Sequence, residues 1–106
     1  MPKYLFEGSY TPAGTAGVVK DGGSQRRAAA EKLVESLGGT VECMYFAFGA
    51  VDVLLIADLP DNVAAVTASM ATAGSGALTG KMTVLLTPEE IDDAAKRGVS
   101  YTPPGQ

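Results

Sequence analysis

Gly38–Asp61, GGTVECMYFAFGAVDVLLIADLPD, holds a helix stop, two strands and the start of another helix. Gly38-Gly39 closes a helical run, because glycine takes the left-handed conformation in which helices commonly end. Thr40–Phe48 is rich in β-branched, aromatic and sulfur-bearing residues and predicts a strand, with Glu42 its one charge. Gly49-Ala50 predicts a tight turn with Gly49 at positive φ. Asp52–Leu59 predicts a second strand. Its unbroken apolar run Val53–Ala57 requires cover on both faces. Pro60 stops that strand, and Asp61 stands as N-cap of the following helix. One layer of helices covers one sheet face only, so a second copy of the chain is the simplest cover for the other.

The 106 residues suffice for one domain. An apolar share of 46%, a charged share of 19% and a net charge of −4 suit a globular protein. The absence of a basic run argues against nucleic acid or an anionic membrane as partner. The chain enters a strand at Lys3 with no signal peptide, and its single cysteine, Cys43, cannot form an internal disulfide. Both features fit the cytoplasm. There is no histidine. That removes imidazole bases and Ser-His or Cys-His nucleophiles, and with one cysteine it comes close to excluding a zinc site. No metal and no cofactor is expected.

Working outward, Lys3–Tyr10 predicts the first strand. Thr11–Gly23, with four glycines and a proline, reads as a long loop. Ser24 is the expected N-cap of a helix reaching Leu37, with Ala30, Leu33, Val34 and Leu37 as its apolar stripe. Asp61–Ala73 predicts a second helix with the stripe Val63, Val66, Met70 and Ala73. Gly74–Gly80 reads as a loop and Lys81–Leu86 as the last strand. Thr87-Pro88-Glu89-Glu90 has the N-cap, the N1 proline and the N3 glutamate of a capping box, opening a short helix to Arg97-Gly98. The fold class is α+β: a ferredoxin-like βαββαβ chain, with a four-stranded antiparallel sheet, helices on one face and a short C-terminal helix. Residues 1–98 form the domain and 99–106 an extended tail. The expected strand order across the sheet is four, one, three, two.

Strict alternation assigns the uncovered face. It takes Leu5, Glu7 and Ser9, then Glu42, Met44, Phe46 and Phe48, then Asp52, Leu54 and Ile56, then Lys81, Thr83 and Leu85. Cys43 falls among the helix-facing residues as an inert buried thiol. Glu7, Ser9, Glu42, Phe46, Asp52 and Lys81 are therefore the candidate ligand-binding residues. An apolar face with a few polar groups suits a subunit interface as well as a pocket. Glu7 could act as a general base or hold a polar ligand atom; its other reading is an ion pair with Lys81 or Lys3. Asp52 could bind a ligand at the mouth of a barrel or secure the turn by accepting backbone N–H bonds.

The helix with Arg26-Arg27, then Leu37-Gly38-Gly39, Gly49-Ala50-Val51-Asp52, Pro60-Asp61 and Glu89-Glu90 together resemble the GYD-domain family over roughly residues 3–97. Val51 stands where that family's name places a tyrosine. The resemblance implies a fold of the dimeric α/β-barrel type, in which two sheets meet open face to open face, and no established activity. The two-sided burial of the third strand and the lack of a catalytic constellation favour an uncharacterised domain that works as a homo-oligomer and can hold a small apolar or aromatic ligand between subunits. The alternative by fold analogy is a cofactor-independent monooxygenase, isomerase or decarboxylase using a buried carboxylate or a tyrosine.

Overall fold

A computed structural model describes all 106 residues. Strands β1 (Lys3–Tyr10), β2 (Thr40–Phe46), β3 (Val53–Asp58) and β4 (Leu78–Leu85) form one antiparallel sheet in the order β2-β3-β1-β4. Read from the opposite edge this is four, one, three, two. Helices α1 (Pro12–Asp21), α2 (Gly23–Ser36) and α3 (Asn62–Gly74) belong to the body, and α4 (Pro88–Lys96) follows the last strand.

The core lies between α2, α3 and one sheet face. Tyr4, Val34, Ala57, Leu59 and Ala65 are buried together. The Tyr4 ring is apolar cargo with a polar tip, and its hydroxyl donates to Asn62 Oδ1 at 2.7 Å, so burial leaves nothing unpaired. Leu37 caps α2, and Gly38 follows at φ +84°. The Gly39 N–H donates to the Val34 carbonyl and the Gly38 N–H to the Glu35 carbonyl, both at 3.0 Å. These are the paired bonds of a Schellman stop. Asp61 caps α3 through the Ala64 N–H at 2.8 Å, and Thr87 with Glu90 completes the expected capping box of α4.

Several expectations are corrected. The segment Thr11–Gly23 is mostly helical. Thr11 caps α1 by accepting from the Gly14 N–H, and Pro12 sits in the first turn. Gly14 lowers helix propensity, yet a Cβ there would overlap the Ala77 carbonyl, so the close approach of α1 to the chain before β4 requires glycine. Gly22, at φ +83°, ends α1 and also stands as N-cap of α2, a place expected for Ser24. Strand β4 begins at Leu78 and not at Lys81, since Gly80 lets it press against the Phe6 ring.

The hairpin is looser than a tight turn. Residues 47–52 connect β2 to β3, closed by the Ala47 N–H donating to the Asp52 carbonyl at 2.8 Å. A loop this long spreads the reversal over several residues, and Gly49 does not take positive φ. The larger correction is on β2. Val41 pairs with Ala57 but Cys43 pairs with Ile56, so Glu42 is an extra residue, a β-bulge. Past it every side chain changes face. Met44 and Phe46 turn toward the helices, and Cys43 and Tyr45 toward the open face.

Helix α3 reverses its expected stripe. Ala65 and Ala68 are buried, while Val63, Val66 and Met70 are exposed at 70%, 51% and 69%. Small residues let the helix axis approach the sheet, and the bulkier stripe is left outside. Every residue from Leu86 to Gln106 is exposed, including all of α4.

Candidate functional site

Two surfaces carry chemistry. The open sheet face is ordered by strand register into rows. Thr83, Leu5, Ile56 and Cys43 make one row; Lys81, Glu7, Leu54 and Tyr45 make the next. The centre of the face is thus apolar. At one end Lys3 donates to Glu42 Oε1 at 2.6 Å and to Asp58 Oδ1 at 3.0 Å. These hydrogen bonds, that to Glu42 first and that to Asp58 second, raise the Lys3 ammonium above its ordinary pKa of 10.5.

The sequence-chosen residues do not converge on one point. Glu7 is half-buried and stands opposite Lys81, yet no ion pair forms there, and Lys3 is engaged elsewhere. Ser9 lies toward the far end of β1, opposite Thr79. Glu42 belongs to the Lys3 cluster at the other end. Phe46 is displaced by the bulge to the helix side, where its ring lies against Gly23. Asp52 follows its structural reading in a modified form. Its carboxylate accepts the Tyr10 N–H at 2.8 Å, and its own N–H donates to the Gly8 carbonyl at 2.9 Å, so it ties the hairpin loop to the end of β1. No group of three His, Cys, Asp or Glu is placed to hold a metal ion. No helix is long and apolar enough to cross a membrane.

The second surface is a cavity of about 120 Å³ on the helix side of the sheet. Phe6, Leu33, Met44, Leu55 and Met82 give it apolar walls, and Arg26 is its only charged residue. The cavity exists because the helices above it contribute small groups, Ala29 and Ala30 from α2, Ala68 and Thr72 from α3. It continues into a more polar space of about 270 Å³ beside α1, and Tyr10, Arg26, Leu33, Thr72 and Leu78 line both. Strict alternation missed this site by sending Met44 to the opposite face. The one available signal was the run of alanines in both helices, which reads as close packing unless the side chains beneath are too few to fill the space.

The GYD domain family model matches residues 4–95. No curated protein and no solved structure matches the chain.

Proposed function

The chain belongs to the GYD domain family, and from that premise we propose that it works as a homo-oligomer closed by packing the open sheet faces of two copies into a barrel. The observation that carries this reading is the apolar centre of that face, Leu5, Leu54, Ile56 and Tyr45, over which no element of the chain lies. Tyr45 is exposed and Leu5, Leu54 and Ile56 are half-buried. An apolar patch left partly open, with charged groups at its margin, suits a contact surface.

Size argues for a contribution from beyond the sheet. Strands about 4.8 Å apart and roughly seven residues long, at about 3.3 Å per residue, offer only about 450 Å² per copy. Two such faces bury about 900 Å², just under the roughly 1,000 Å² minimum for a biological interface and well short of the roughly 1,600 Å² that is standard. The exposed apolar residues of α4 and the tail, Ile91, Val99 and Tyr101, supply the remainder. The same reading puts the protein in the cytoplasm, where Cys43, brought to the open face by the bulge, stays a thiol.

Sedimentation or light scattering tests this directly. The wild-type chain is expected to sediment as a dimer or larger at micromolar concentration. Ile56→Asp, which places a charge at the centre of the face, is expected to give a monomer with an unchanged circular dichroism spectrum. A wild-type monomer, or an Ile56→Asp chain that associates as before, would refute the reading.

A further inference from the structure

The geometry points to a binding site for a small aromatic carboxylate in the cavity beneath α2 and α3. Volume sets the size of the guest. An apolar cavity of about 150 Å³ stays dry and takes up benzene, so the 120 Å³ here suits a single ring, and the adjoining space leaves room for a polar substituent at its mouth. The walls favour a ring over an aliphatic chain. Two methionines, Met44 and Met82, and the aromatic Phe6 are among the residues lining the cavity. Sulfur and aromatic groups both contact ring edges favourably.

The carboxylate follows from Arg26. It lines both the apolar cavity and the wider space beside α1, and so marks the junction between them. Arg26 forms a loose ion pair with Asp21, which lines the wider space. Nη1 and Oδ2 stand 4.0 Å apart, too far for a hydrogen bond, so the guanidinium N–H donors remain for a guest carboxylate that competes with Asp21 for the charge. A ring seated among the methionines would leave its acid group at this junction, facing the more solvated space. The chain carries a net charge of −4, and a local cation at the mouth offsets the general repulsion of an anion.

The site lies on the opposite side of the sheet from the face proposed for self-association, so either can fail without the other. Methionine methyl NMR separates them, because Met44 and Met82 line the cavity whereas Met1 and Met70 are exposed elsewhere. In a titration with benzoate to about 10 mM, above the roughly millimolar affinity so small a ligand reaches, the Met44 and Met82 signals are expected to move and saturate, while those of Met1 and Met70 stay. Benzoate is expected to bind at least about tenfold more tightly than benzyl alcohol, the margin of one charge-assisted hydrogen bond. Arg26→Gln is expected to erase that margin and leave toluene binding unchanged. Ala30→Leu, which fills the cavity, is expected to abolish binding of both. Silent Met44 and Met82 signals, or equal binding of benzoate and benzyl alcohol to the wild-type chain, would overturn the proposal. Titrating the Ile56→Asp chain in the same way keeps the outcome independent of oligomeric state.

Discussion

Two glycines bracketing β2 have opposite tolerances. Gly39 sits where a Cβ would overlap the Asp58 carbonyl, and backbone cannot give way as a flexible side chain can. Gly49 has open space around it and no positive φ. Gly39→Ala is therefore expected to destabilise by about 1–3 kcal/mol, the usual range for an overpacked site. Gly49→Ala is expected to be neutral or to stabilise by up to about 1 kcal/mol through a less flexible unfolded chain. Urea unfolding of the two variants measures both, and a reversed order would mean that the turn and the helix stop have been confused. At this scale several local signals were legible in the sequence, though the Thr11 cap of α1 was not. The Gly38 stop, the Asp61 cap and the Thr87 capping box each depend on neighbours within a few residues. Gly49 was misread because its conformation depends on the length of the loop around it, which no local signal states.

Elements were legible as long as their period was unbroken. Strand β1 and the α2 stripe came through, whereas β2 lost its phase at Glu42, and with it the places of Met44, Phe46 and Cys43. Nothing in TVECMYF marks the bulge; it follows from pairing with β3 and from the Lys3 cluster that holds Glu42. Helix α1 shows the same limit from the other side. Its Thr11-Pro12 start matches Thr87-Pro88, but Gly14 serves a tertiary contact that outweighs propensity. Helix α4 is the element with most to test. A nine-residue helix is marginal alone in water, and its cap and end charges help but give its apolar side nothing to rest on. Truncation after Leu86 is expected to leave the chain's own stability within about 0.5 kcal/mol, as for exposed positions generally. The same truncation should weaken self-association at least about tenfold, the loss of one modest apolar anchor. Equal sedimentation of truncated and full chains would remove this C-terminal arm, α4 and the tail, from the interface.

For the whole molecule, shape is the informative quantity. A compact chain of this length has a radius of gyration of about 13 Å; this one reaches 17.0 Å, with extents of 58 × 32 × 23 Å. Small-angle scattering from the monomeric Ile56→Asp chain is expected to give a radius near the larger value, and one near the smaller would mean that the arm folds back on its own body. The order of strands was legible because hydrophobic runs and turn signals alternate in a pattern few topologies satisfy. The elongation was not, since a capping box announces where a helix begins and says nothing of what it lies against. From Leu86 onward no side chain is buried in its own molecule, and this has a genetic consequence. A library screened in dilute solution for folding alone would score Ile91, Val99 and Tyr101 as neutral. Screened for pairing at high expression, the same three positions would become sensitive, so how much a substitution there matters depends on the abundance of the protein.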